Sequence, residues 1–105
     1  MPEGLVFKET RQTGEFLLES FKVNGELPSK IGVQMAMKLS RRQLNERWDL
    51  ALVFCDKLAY DDKVRNGSDY YDRVHSIIKK ELGEDYETFE IVQGRGGAAD
   101  QSKLK

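Results

Sequence analysis

Residues 40–60 read SRRQLNERWDLALVFCDKLAY. The stretch opens basic and polar, then becomes a continuous apolar run, Leu50-Ala51-Leu52-Val53-Phe54-Cys55. Ser40 followed three residues later by Gln43 is a capping box. The hydroxyl bonds the Gln43 backbone N–H while the Gln43 side chain reaches back, so a helix is predicted to start at Arg41. Leu44, Trp48, Ala51, Cys55 and Leu58 then recur at helical spacing, with Leu52 and Ala59 widening the stripe. Carried to about Tyr60, this helix would be about 30 Å long. A buried strand over residues 50–55 fits the run taken alone. The periodicity that begins before the run and continues after it favours the helix. Its front end then faces water or a partner, and its later turns form the centre of the core.

On the N-terminal side, Pro28-Ser29 begins another helix, with Ile31, Met35 and Leu39 on its inner face at i, i+4 and i+8. Val33 and Met37 fall off that row, so this helix is expected to offer them as a second apolar face. Residues 14–23, GEFLLESFKV, read two ways. Thr13 as N-cap, Glu15 in the first turn and Lys22 in the last make a helix closed by Asn24-Gly25. Leu17, Phe21 and Val23 on one face make a strand between two turns. The helix is taken here. Residues 4–12 alternate, Leu5 and Phe7 against Val6 and Lys8, and are expected to be extended until Thr13-Gly14 breaks the run.

On the C-terminal side, residues 61–67 read as a polar connection. Ser68 or Asp69 caps a helix over 69–82, buried through Tyr71, Val74, Ile78 and Leu82 and stopped by Gly83. Residues 86–92, YETFEIV, alternate and are expected to form a short strand through Phe89 and Ile91. The remaining GRGGAADQSKLK has almost no core-forming residues and reads as a disordered tail. The expected fold class is therefore a helix-dominated α+β domain. Three to four helices, at roughly 14–23, 29–39, 41–60 and 69–82, pack on the long central one. Short N- and C-terminal strands flank them, and a flexible tail over 94–105 follows a single globular domain over 1–93.

At 105 residues the chain has room for one modest core. Seventeen Lys and Arg against eighteen Asp and Glu leave no global field pointing to nucleic acid, membrane or an acidic partner, so any such partner must use a local patch. Cys55 is the sole cysteine, which excludes an internal disulfide and fits a reducing, cytoplasmic location. No signal pattern opens the chain, and its apolar runs are far shorter than the ~20 residues of a membrane span.

Over residues 30–47 the basic side chains Lys30, Lys38, Arg41, Arg42 and Arg47 stand against Glu46 alone. Two helices meeting at Leu39-Ser40 resemble a helix-turn-helix, whose second helix enters the major groove N-terminus first. Lys38, Arg41, Arg42, Gln43, Asn45 and Arg47 would then meet phosphates and base edges. The joint as read lacks the usual three- to four-residue turn and its glycine. The bland alternative is a solvated helix face. His75 and Cys55 are the residue types of a base and a nucleophile, but burial in an apolar run makes a thiol inert. Acidic clusters at Asp61-Asp62, Asp69/Asp72 and Glu84-Asp85-Glu87-Glu90 have no metal-loop spacing, and neither a second His nor a second Cys is present for zinc. Gly94, Gly96 and Gly97 do not open a helix after a strand, so no phosphate loop is implied. The expectation is no catalytic residue, metal, cofactor or small-molecule substrate. What remains is a non-enzymatic protein-interaction module: an adaptor, an assembly factor or a self-associating small subunit. Its partner would meet Val33, Met37 and Tyr70, the last because tyrosines at element ends serve as anchors. A nucleic-acid-binding regulator using residues 38–47 is the alternative.

Overall fold

The computed structural model describes residues 2–85, with side chains from residue 8 onward. The described chain is helical apart from short joints: α1 (Pro2–Asn24), α2 (Lys30–Met37), α3 (Arg41–Asn66) and α4 (Tyr70–Leu82), followed by a 3-10 turn over Gly83–Asp85. Among these residues there is no strand, which overturns the α+β expectation. The expected strand at 86–92, with Phe89 and Ile91, and the tail at 94–105 lie outside the described residues.

The N-terminal strand is replaced by the front half of α1. Thr10, Thr13, Gly14, Leu17, Leu18 and Phe21 form one continuous buried stripe at helical spacing. Thr13 is not an N-cap. Its hydroxyl donates back to the Glu9 carbonyl at 3.0 Å, one turn earlier in the same helix. Gly14 does not break the helix either. It is the point where α1 lies against α3, and a Cβ there would sit 2.6 Å from Phe54 Cβ and 3.1 Å from the Ala51 carbonyl oxygen. Two threonines and a glycine on the inner face hid the helical period from a reading keyed to large apolar side chains.

α3 starts as expected. The Ser40 hydroxyl accepts from the Gln43 N–H at 3.1 Å, and the Gln43 side chain accepts from the Ser40 N–H at 2.9 Å. It runs past Tyr60 through the segment expected to be a connection. Asn66 donates to Asp62 at 2.9 Å across its last turn, and Gly67 at φ 71° ends it with an N–H bond to the Lys63 carbonyl at 2.7 Å. A helix can carry polar residues on every side where its last turn is bonded in this way.

Paired residue numbers give the topology. Glu9 pairs with Arg47, Gly14 meets residues 51–55, and Lys22 lies 3.8 Å from Asp62, so α1 and α3 run parallel. Asp72 pairs with Lys63 at 3.0 Å and His75 lies 3.7 Å from Asp56, so α4 runs back antiparallel. Two parallel helices need a return crossing, which residues 25–29 and the short α2 supply. The core gathers around α3, from Leu17, Leu18 and Phe21 of α1 through Leu44, Trp48, Ala51, Leu52, Cys55 and Ala59 to Val74 and Ile78 of α4, with Val33 from α2.

Candidate functional site

α2 and the first turns of α3 hold nearly all of the residues singled out from the sequence. Ser29 caps α2 by accepting from the Gly32 N–H at 3.0 Å. The helix then packs inward through Val33, which is fully buried, with Met37 and Leu39 half-buried against the core. Ile31 and Met35 point outward and are 63% and 74% exposed. The rotation is thus the reverse of the expected one. Val33 and Met37 are packing residues, and the outer apolar row is Ile31 and Met35. Tyr70 is also a packing residue: its ring meets Phe21 edge-on at 6.0 Å, with the Lys22 ammonium 5.7 Å above it.

Between residues 31 and 37 α2 carries no charged side chain. Its outer row follows Lys30 but then runs about two turns without a charge, whereas Val23 follows Lys22, Leu50 follows Asp49, Tyr60 precedes Asp61 and Val64 lies between Lys63 and Arg65. Scattered apolar residues of that kind are ordinary on a protein surface. A helix apolar on two faces normally buries both.

The joint between α2 and α3 has three residues, Lys38-Leu39-Ser40, rather than the two expected. Lys38 occupies the left-handed region at φ 57°, ψ 39°, the conformation a turn glycine would take. The polar residues of the joint and the first turns of α3 divide by what they bond. Lys38, Arg41 and Asn45 are exposed, with no hydrogen bond or ion pair from their side chains among the described residues. Arg42 is held by Glu46 at 2.9 Å, Gln43 is occupied by the capping box, and Arg47 is committed to Glu9 of α1. Lys30 at the start of α2 lies over the Trp48 ring, 5.6 Å from its centroid.

Asp56, which the sequence reading did not single out, is fully buried on α3. Its carboxylate lies 3.7 Å from His75 Nδ1, which is 3.2 Å from the Tyr71 hydroxyl. Its position among Leu52, Cys55 and Ala59 on the buried stripe was the available signal. Beside it, burial and the Asp56 charge push the Cys55 thiol up to about 12, the state of an unreactive core sulfur. Among the described residues no group of three or more His, Cys, Asp or Glu is placed to hold a metal ion, and no helix is long and apolar enough to cross a membrane.

Over the described residues, the fold and surface are those of four helices, with α1 and α3 running parallel and a short α2 that is apolar on two faces. No protein-family model, curated protein or solved structure compared with the chain matches it.

Proposed function

We propose that this chain is a non-enzymatic protein-interaction module of the cytoplasm that binds through the outer face of α2. One observation carries the reading: Ile31 and Met35, one turn apart, stand exposed on a helix segment without charges. Burying two such side chains supplies roughly 1.5–3 kcal/mol each. The buried Cys55 supports a reducing compartment. A photoreactive side chain at position 35 of the full chain, compared with one at position 64, tests the surface in cell extract. The expected result is a defined adduct at 35 and not at 64, competed by unmodified protein and lost with Ile31→Glu. Equal labelling at both positions overturns the reading.

A second reading, a nucleic-acid-binding regulator, is favoured by the three-residue turn with left-handed Lys38 ahead of exposed Arg41 and Asn45. It is weakened by the commitment of Gln43, Arg42 and Arg47 to intramolecular bonds. A mobility-shift assay with salt titration decides it. Phosphate contacts are strongest at low salt, so the absence of binding at about 50 mM salt would sink it.

A further inference from the structure

We propose that Asn24 is a site of spontaneous deamidation in the folded chain, and that the second Asn-Gly pair, Asn66-Gly67, is protected from it.

The chain carries two Asn-Gly pairs, Asn24-Gly25 and Asn66-Gly67. A glycine after asparagine leaves the backbone nitrogen unshielded by a Cβ, which favours ring closure onto the asparagine side chain. The two pairs match in backbone. Each asparagine is the last residue of a long helix, α1 or α3. Each glycine is left-handed, at φ 82° and 71°. Each glycine N–H bonds back one turn, to the Phe21 carbonyl at 2.6 Å and to the Lys63 carbonyl at 2.7 Å. Both asparagines are exposed. Opening the last turn is thus a requirement common to both and does not separate them.

Their surroundings do. The Asn66 amide donates to the Asp62 carboxylate at 2.9 Å, which fixes it on the preceding turn and sets a negative charge beside it. The Asn24 side chain makes no hydrogen bond among the described residues. It opens on a recess lined by Glu26, Leu27, Pro28 and Ser29, where water has access. Arg73 Nη2 lies 3.8 Å from where a Gly25 Cβ would stand, whereas nothing comes within 4 Å of that place at Gly67. The guanidinium is held over the Phe21 and Tyr70 rings, 5.1 and 5.8 Å from their centroids. Asp69 approaches its other nitrogen, Nη1, at 4.0 Å.

Once the turn opens, solvent base takes the Gly25 amide proton and the nitrogen attacks Cγ of Asn24. A C–N bond forms and negative charge gathers on Oδ1. Collapse of that oxyanion expels Nδ2, which takes a proton from water and leaves as ammonia, and a five-membered succinimide remains. Water then opens the ring at either carbonyl, giving aspartate or isoaspartate. Water is consumed, ammonia is released, and no oxidant or cofactor enters. The fixed guanidinium of Arg73 stabilises the oxyanion at Asn24, whereas the Asp62 carboxylate opposes it at Asn66. The product puts an anion at the C-terminal end of α1, where the helix dipole disfavours it. Isoaspartate also lengthens the main chain by a methylene and shifts the Gly25 N–H from the Phe21 carbonyl, at the start of the crossing to α2.

Ageing the folded full chain in mildly alkaline buffer, followed by peptide mapping with isoaspartate-specific methyl labelling, tests this. Residue 24 should convert faster than residue 66 by about tenfold or more, and the two rates should come together in denaturant. Arg73→Gln should slow conversion at 24, Arg73→Lys should retain it, and Asp62→Ala should speed conversion at 66. Amide exchange at Gly25, measured in each Arg73 variant, corrects for any change in how often the turn opens. Equal rates at the two sites of the folded chain overturn the proposal, as does faster conversion at 66. So does a folded chain inert at both while the denatured chain reacts, or a corrected Arg73→Gln rate that is undiminished.

Discussion

At the residue scale, burial decides chemistry. Cys55 is a thiol in name and a core atom in practice, because desolvation, reinforced by Asp56, lifts it to about 12. At pH 8 its thiolate fraction should be lower than that of an ordinary cysteine by about a thousandfold. Native-state alkylation should accordingly be slow and limited by unfolding, and rapid labelling of folded protein would contradict the burial. The folded value lies above the unfolded one near 9.0, so the thiol's contribution to stability is complete below that pH and is lost as pH rises toward 12. Denaturant midpoints of wild type and Cys55→Ala measured across that range should converge as the wild type declines. Gly14 shows the same control by surroundings. A methyl group there meets backbone atoms of α3 at 3.1 Å, which cannot move without separating the helices. Gly14→Ala should destabilise by about 1–2 kcal/mol in urea unfolding, despite alanine's better helix propensity.

At the scale of elements, the helix ends were more legible than the helix faces. The Ser40–Gln43 capping box could be read from four residues because it is a local bond set, and Ser40→Ala should cost about 1 kcal/mol. α4 spans Tyr70–Leu82, one residue shorter than expected, and its first free N–H, that of Tyr70, bonds to the Ser68 hydroxyl at 3.0 Å. Lys38 is the converse case. Nothing in KLSRR announces a left-handed residue, which an L-amino acid adopts only at a cost of about 1 kcal/mol. Lys38→Gly should therefore stabilise the folded monomer by roughly 0.5–1 kcal/mol in dilute solution. A loss of stability would show that the lysine side chain matters more to the turn than its backbone. The length of α3 was missed because Asp61, Asp62, Lys63 and Arg65 look like a loop in isolation. They become helix through the Asn66–Asp62 bond and the pairing of Lys63 with Asp72 on α4.

At the scale of the molecule, the parallel register of α1 and α3 is bracketed by ion pairs, Glu9 with Arg47 at one end and Lys22 with Asp62 at the other. Asp62 is held below the ordinary carboxylate range, first by the hydrogen bond from Asn66 and then by the charge of Lys22. A depressed carboxyl stabilises the fold above its unfolded pKa, and that contribution is lost as pH falls through the folded value. Asn66→Ala should thus be less stable than wild type at neutral pH, and the difference should close on acidification. A gap that persists unchanged at low pH would assign the loss to helix capping rather than to Asp62.

What the sequence determined by itself was local: where α3 begins, which of its residues line the core, where α4 lies, and that Cys55 is buried. Capping bonds and one-turn apolar spacing act over a few residues and are visible there. Only the tertiary structure decided that α1 is a single helix, because Thr10, Thr13 and Gly14 gain their inward role from the close approach of α3. It also decided which face of α2 looks out. Ile31 with Met35 and Val33 with Met37 are equally apolar rows on a two-turn helix, so burial alone cannot choose between them. The choice came from how α2 lies on α3, with Val33 in the core and Lys30 over Trp48. The proposed binding surface is the row left outside by that choice.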